Sequence, residues 1–229
     1  MFLLTMFRCT VVCNDMWTVL HCTTMCNDRN MATETARTRA TEATRARILD
    51  VARELLGRRP EASMGDIAAA VGVVRRTVYG HFPARDDLVR TLAEAAVDEM
   101  TTVLERVDQP GTPADEVWAR FLVELWPLAH RYRVLLALRR GEYGEDIHAV
   151  LRSVDAALAT LVRRGQDDGV FGTHLPPEAL ARLSSATVFA IADDGSDDPS
   201  LDVEAASITS LFMLGVATER AMELARRTS

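Results

Sequence analysis

The sequence predicts an all-α protein in which an N-terminal module of three helices precedes a larger helical body. Apolar residues recur three and four positions apart along most of the 229-residue chain. No segment alternates between apolar and polar residues in the way that a half-buried strand does. Glycine and proline interrupt the helical pattern at short intervals. Together these features indicate helices that are connected by short turns.

The first 30 residues differ in composition from the rest of the chain. All four cysteines lie in this segment: Cys9, Cys13, Cys22 and Cys26. They form two pairs with a spacing that zinc sites permit, so a zinc site is one interpretation. No Gly-rich knuckle or histidine pattern surrounds the pairs, which favours a disordered leader instead.

The change in composition also predicts the domain boundaries. Methionine is enriched at the start, whereas the remainder is rich in Ala, Arg, Val and Leu, and the chain contains no lysine. We therefore expect Met31 to be the natural start and residues 1–40 to form the disordered leader. Residues 41–90 are expected to form the N-terminal module, and residues 91–229 the body.

Local signals mark the helices of the N-terminal module. From Thr41 apolar residues lie on one helical face: Ile48, Val51, Ala52, Leu55 and Leu56. Gly57 and Pro60 are expected to end this helix. Ser63 and Asp66, three residues apart, predict a capping box at the start of the second helix.

A glycine turn at Gly72 and a third short helix, at residues 74–82, complete the module. A short helix, a turn and a second helix with paired arginines favour insertion of the second helix into a major groove. At these residues the sequence resembles the tetracycline-repressor (TetR-like) family of transcriptional regulators. The match covers about residues 45–95, and the residues that carry it are Ile67-Ala68, Gly72-Val73, Thr77-Val78-Tyr79-Gly80-His81-Phe82 and Arg85-Asp86-Asp87-Leu88.

The resemblance implies which side chains meet DNA. The expected DNA-binding residues are Ser63, Arg75, Arg76, Thr77, Tyr79, His81 and Arg85. Residues 75–77 would face base edges, because an arginine fork can bind guanine O6 and N7 together. The others would contact phosphate, with Ser63 at a helix N-terminus. A solvated helix face is the alternative for the two neighbouring arginines.

Two positions depart from the family pattern. Val74 stands where a Ser or Thr commonly precedes the recognition helix, and Ala84 replaces a usual serine before the next helix. The loss of such a cap costs about 1 kcal/mol of stability. Neither change removes a DNA-contacting group, so both concern local stability.

The charge distribution fits a module that meets phosphate at one end. The whole chain carries a net charge of −7. Residues 31–90 nevertheless contain 11 Arg against 8 Asp and Glu, whereas residues 91–229 contain 13 Arg against 23 Asp and Glu. A basic module on an acidic body suits a nucleic-acid partner, although a solvated basic face would have the same balance.

Breaks by glycine and proline divide the body into helices. They are a long helix from Arg85, a helix from Ala114 that Pro127 kinks or ends, a short helix at 131–140, a helix from Asp146 to Gly165 or Gly169, and two final helices at about 177–192 and 202–226. Gly141 and Gly144 are expected to stop the short helix, and Pro177 to open the penultimate one.

The resemblance implies a homodimer formed by the last two helices, at about 177–192 and 202–226. One recognition helix reads few bases, and two-fold pairing on a pseudo-palindromic operator doubles the contact. Small residues that would allow close approach are Ala186, Ala190, Gly215 and Ala217. The alternative is that this apolar stripe packs only within its own subunit.

The resemblance also implies a pocket for a small, often apolar effector among the central helices. The candidate ligand-binding residues are Trp118, Phe121, Leu125, Trp126, Tyr132, Leu135, His148 and Leu151. Tyr132 and His148 could orient a ligand, since such pockets are mostly apolar with few polar groups. Aromatic residues at helical spacing also serve as plain core. No cofactor is expected.

Other classes of protein lack support in the sequence. It contains no Gly-rich phosphate loop, H-E-x-x-H or G-x-S-x-G motif, which argues against an enzyme. The acidic run at residues 193–198 lacks the spacing of a calcium loop. No apolar run is long enough for a membrane span, and the opening lacks a basic n-region, so we expect a cytoplasmic protein.

The sequence thus predicts a DNA-binding transcriptional regulator, a repressor that a small-molecule effector releases. The alternative is a helical ligand-binding sensor or scaffold that does not bind DNA.

Overall fold

The structure, a computed structural model, describes residues 16–139, 143–194, 198 and 200–228. Within these residues it contains helices and no strand, so the predicted all-α fold is confirmed. The helices are α1 (Met16–Arg58), α2 (Met64–Val71), α3 (Arg75–His81), α4 (Arg85–Val107), α5 (Ala114–Arg131), α6 (Arg133–Arg139), α7 (Gly144–Asp167), α8 (Pro177–Asp194), α9 (Val203–Met213) and α10 (Thr218–Thr228).

The chain divides into two compact units, Met1–Arg47 and Ile48–Ser229. The contacts described below lie within the second unit. Helix α1 begins at Met16, inside the segment 1–40 for which the sequence predicts a disordered leader. The assignment of a leader and the domain boundaries stay predictions, and the cysteine side chains of the alternative zinc site lie outside the described part of the structure.

The end of α1 and the helices α2 and α3 share one apolar centre. The helical stripe of α1 contributes Ile48, Ala52 and Leu56, which are fully buried. Ile67 of α2 and Val78 of α3 are fully buried in the same core. Burial of each of the larger aliphatic side chains contributes about 1.5–3 kcal/mol, so this core holds α2 and α3 together.

Helix α5 is the centre of the body. It packs against α4, α7, α8, α9 and α10, and its residues Trp118, Phe121 and Leu122 are fully buried. The buried indole Nε1 of Trp118 donates to Ser210 Oγ on α9 at 3.0 Å, and Ser210 Oγ donates to the carbonyl of Ser184 on α8 at 3.0 Å. These two bonds fasten three helices of the body to one another.

The prediction that Pro127 could end its helix is wrong, because α5 continues through it to Arg131. Proline removes one backbone donor, but Leu125 and Leu128 on either side are buried in the body. Tertiary packing therefore outweighs the lost bond. Likewise, Gly144 opens α7 instead of stopping α6.

The prediction of a single last helix at 202–226 is also wrong, because the structure divides this segment into α9 and α10. Asp202 caps α9 by accepting a bond from the amide of Ala205 at 2.9 Å. Between the helices Gly215 has a φ of 81°, a conformation that favours glycine. The amide of Gly172 donates to the carbonyl of Leu214 at 2.7 Å, so a distant loop occupies the break.

Candidate nucleic-acid interface and ligand cavity

The capping box at the start of α2 is present as the sequence predicts. The amide of Asp66 donates to Ser63 Oγ at 3.2 Å, and the amide of Ser63 donates to Asp66 Oδ2 at 2.8 Å. The hydrogen bond from the Ser63 hydroxyl, followed by that from its amide, lowers the pKa of the Asp66 carboxyl. This exchange satisfies backbone donors at the N-terminus of α2.

The turn between α2 and α3 depends on Gly72, whose φ is 77°. Its amide donates to the carbonyl of Ala69, and the next amide, that of Val73, donates to the carbonyl of Ala68. These bonds end α2 with a left-handed cap. The chain then enters α3 at Val74, which is exposed and supplies no side-chain cap.

Helix α3 presents a polar face outward. Arg75 and Arg76 are exposed, and the exposed fraction of Tyr79 is 47%. Val78 and Phe82 are buried, so the opposite face holds the helix in the module. The two remaining predicted residues of this helix, at positions 77 and 81, are half-buried on its flanks. An exposed helix with a buried back is a shape that a major groove accepts.

Arg85, the last of the predicted DNA-binding residues, is engaged within the protein. Its guanidinium donates to the carbonyls of Pro60 and Ala62, in the connection between α1 and α2. Its Cζ atom also lies 6.0 Å from the centre of the Tyr143 ring. A phosphate contact by Arg85 stays a prediction, and it would require the side chain to share or leave these carbonyls.

A narrow cleft with a cavity volume of about 60 Å³ lies among α4, α5, α7 and α8. Its walls are mostly apolar, and polar groups from α7 and α8 lie among them. Six of the eight predicted ligand-binding residues line it: Phe121, Leu125, Tyr132, Leu135, His148 and Leu151. Residues of the lining that sequence reasoning did not propose are Met100, Ile147, Val154, Asp155, Leu158, Arg182, Ser185, Ala186 and Phe189.

The two predicted tryptophans do not line the cleft. Trp118 is turned towards α9 by its bond to Ser210, and it meets Phe171 edge-on at 6.5 Å between ring centres. Trp126 packs edge-on against His130 at 4.9 Å. The helical stripe of α5 therefore divides between the cleft and two other contacts, a division that helical spacing alone does not indicate.

Tyr132 connects the cleft with the N-terminal module. Its hydroxyl donates to Glu99 Oε1 on α4 at 2.6 Å, and Glu99 Oε2 accepts a bond from Arg131 at 2.6 Å. The guanidinium of Arg53 on α1 lies 5.4 Å from the centre of the Tyr132 ring, within the range of a cation–π contact. Burial and the bond to Glu99 raise the pKa of Tyr132 to about 12, so its hydroxyl remains a donor at neutral pH.

Two kinds of site are absent from the described residues. Among their side chains, no three His, Cys, Asp or Glu residues come together as a ligand set for a metal ion. None of the described helices combines the length and apolar character that crossing a bilayer requires.

Comparisons with known proteins bear on this arrangement. The profile of the family described as "Bacterial regulatory proteins, tetR family" matches residues 48–92. The crystal structure of the TetR-like regulator LfrR from Mycobacterium smegmatis, in complex with proflavine, is 31% identical, with a TM-score of 0.59. The match covers 76% of this chain and 96% of LfrR. The chain belongs to the TetR-like family of transcriptional regulators.

A sequence match to LfrR and two further solved structures agree with this assignment of the TetR-like regulator. The curated repressor LfrR of Mycolicibacterium smegmatis is 44% identical over 81 residues, an alignment that spans 35% of this chain and 43% of the repressor. RolR in complex with resorcinol is 22% identical, with a TM-score of 0.58, over 83% of this chain and 96% of RolR. SmeT of Stenotrophomonas maltophilia is also 22% identical, with a TM-score of 0.59, over 76% of this chain and 90% of SmeT.

Proposed function

We propose that the protein is a DNA-binding transcriptional repressor that a small molecule releases from its operator. The observation that carries the proposal is the exposed face of α3, held by a buried back inside a module that matches the family profile. A family member with this face would act on duplex DNA in the cytoplasm, and it would have no enzymatic activity.

The proposed DNA contacts are those expected from the sequence. Residues 75–77 read base edges, and Ser63, Tyr79, His81 and Arg85 bind phosphates. The exposure of Ser63, Arg75, Arg76 and Tyr79 supports these roles. Arg85 is the least direct of the set, because its guanidinium already donates to backbone carbonyls.

We further propose that two copies pair through α8 and α9, with α10 at the edge of the contact. Leu183 on α8 and Phe212 on α9 are large apolar side chains with exposed fractions of 43% and 44%. Ala186 and Ala190 on the same exposed face of α8 permit close approach of a second helix. The bonds among Trp118, Ser210 and Ser184 hold the opposite faces of these helices inside the subunit. The partner would thus contact only the exposed faces.

The proposed effector binds in the cleft among α4, α5, α7 and α8. Apolar walls with a few polar groups favour a small, largely apolar molecule. A ligand there would touch Tyr132, which bonds to Glu99 on α4 and lies under Arg53 of α1. Both helices lead into the N-terminal module, so displacement of Tyr132 would change the separation of the two recognition helices.

Duplex selection from a random library, followed by fluorescence anisotropy, tests the proposal. We expect the selected duplexes to share a two-fold symmetric site. Affinity for such a site should fall by a factor of about 10³ or more between about 50 and 200 mM salt, because bound arginines release counterions. Proflavine, the ligand seen in LfrR, is the first effector to test, and it should weaken the complex. If no duplex is selected, or if the affinity does not depend on salt concentration, the alternative of a sensor that does not bind DNA is favoured.

A further inference from the structure

Arg75 does not extend freely from α3 but lies against the start of α2. An ideal Cβ placed on Gly65 would stand 2.5 Å from Nη2 of Arg75 and 2.7 Å from its Cζ and Nε atoms. Real carbon atoms do not approach so closely, so the guanidinium occupies the space that any side chain at position 65 would fill. Gly65 is the second residue of α2, directly after the capped N-terminus.

The guanidinium of Arg75 fills this space without donating a hydrogen bond. Among the described residues it makes no hydrogen bond or ion pair. The carboxylate of Asp66, the nearest acidic neighbour along α2, accepts bonds from the amide and hydroxyl of Ser63 at 2.8 and 2.7 Å. Besides the hydrogen bonds from Ser63, the charge of Arg75 also helps to lower the pKa of Asp66. Arg75 is therefore confined by contact and by attraction to this carboxylate, while its N–H groups stay available to a ligand.

We infer that Gly65 is a positioning residue that pre-orients Arg75 for its contact with base edges. This inference rests on the proposed DNA-binding function. An arginine side chain loses rotational freedom when it binds, and confinement beforehand removes part of that loss. A methyl group at position 65 displaces the guanidinium, which is the end of a flexible chain, so the fold tolerates the change while the orientation is lost.

The test is a double-mutant cycle of Gly65→Ala and Arg75→Ala, measured on the duplex that the wild-type protein selects from a random library. We expect Gly65→Ala to weaken binding by about 3- to 30-fold and to reduce discrimination against a duplex with one guanine of each half-site replaced. In the Arg75→Ala background the same change should alter affinity less than about two-fold, because the group through which Gly65 acts is gone.

Stability separates lost orientation from lost folding. Alanine favours helices over glycine, so Gly65→Ala should leave the urea midpoint unchanged or higher. Gly80→Ala in α3 is the matched stability control, because a Cβ at Gly80 has no atom within 4 Å. A weaker DNA complex in an equally stable protein is the expected result for Gly65→Ala.

Three outcomes would overturn the inference. The first is that Gly65→Ala binds DNA with wild-type affinity and discrimination. The second is that Gly65→Ala lowers the affinity equally in the wild-type protein and in Arg75→Ala. The third is unchanged binding by Arg75→Ala. All three leave DNA binding itself intact, whereas failure of the wild-type protein to select any duplex would remove the proposed function instead.

Discussion

Replacement of Tyr132 by Phe tests the contact that joins the cleft to the N-terminal module. The change removes the hydroxyl that donates to Glu99 Oε1 at 2.6 Å and leaves the ring in place, so no cavity forms. A hydrogen bond to a charged group contributes about 1.5–3 kcal/mol. Glu99 keeps its bond to Arg131 and its side chain is 37% exposed, so the carboxylate is not left buried and unpaired. We therefore expect the free energy of unfolding to fall by about 1.5 kcal/mol, the low end of that range.

The stability difference between wild type and Tyr132→Phe should also depend on pH. The pKa of Tyr132 is raised to about 12 in the folded protein, above its ordinary value of 10.0. A raised pKa means that the stability from the neutral hydroxyl is fully present below pH 10 and is lost as pH rises through about 12. Phe does not titrate, so the difference between wild type and Tyr132→Phe should be full at pH 8 and should shrink as pH rises from 10 towards 12.

Urea unfolding followed by circular dichroism measures both effects. Tyr79→Phe is the matched control, because Tyr79 is 47% exposed, and its loss of a hydroxyl should change stability by less than about 0.5 kcal/mol. The reasoning is refuted if Tyr132→Phe is as stable as this control at pH 8. It is also refuted if the difference from wild type persists unchanged above pH 12.

Three further predictions concern stability. Arg220→Met leaves the carboxylate of Asp115, whose side chain is 5% exposed, without its partner at 2.8 Å. Urea unfolding should show that the free energy of unfolding falls by about 2 kcal/mol, less than for a fully buried pair because Arg220 is one-third exposed. A fall of less than about 0.5 kcal/mol would contradict this. Asp66→Asn should lower the melting temperature at pH 6, because a lowered carboxyl pKa supplies stability that is present above the unfolded pKa of about 3.9. The difference from wild type should shrink as pH falls through the folded pKa, and a pH-independent difference would be inconsistent with this. Gly215→Ala should lower the free energy of unfolding by about 1–3 kcal/mol, because the φ of Gly215 is 81° and alanine is strained there. Gly80→Ala should not lower it. Equal results for the two variants would exclude backbone strain at the break.

Local rules made the N-terminal module predictable. The capping box joins Ser63 and Asp66, only three residues apart, and the turn needs only the left-handed conformation of Gly72. Interactions of this range join residues that are close together in the sequence, so the bounds of α2 and α3 follow from them. Val74 behaves as expected too, because the N-terminus of α3 has no side-chain cap.

Features that depend on distant residues were not predictable in this way. The loop around Gly172 packs against the break at Gly215, 43 positions away in the chain, and helical spacing does not indicate this contact. Arg85 finds carbonyls more than twenty residues earlier in the chain. Helical spacing marks apolar faces but not which neighbour each face meets, so it could not separate Phe121, in the cleft, from Trp118, against α9.

The far wall of the cleft shows the same limit. Arg182, Ser185 and Phe189 line it from α8, a helix whose sequence pattern indicated only a dimer interface. One turn of that helix contributes both to the cleft and to the exposed face, since Ala186 lines the cleft and is also exposed. Only the packing of α8 against α7 reveals this double role.

Methylation interference on the selected duplex tests the central claim that α3 reads the major groove. Methylation of guanine N7 blocks the atom that an arginine fork binds together with O6. We predict interference at one or two guanines in each half-site for the wild-type protein, and its loss when Arg75 and Arg76 are both replaced by Ala. Interference that is absent for the wild type, or that persists unchanged in the double variant, would contradict the account.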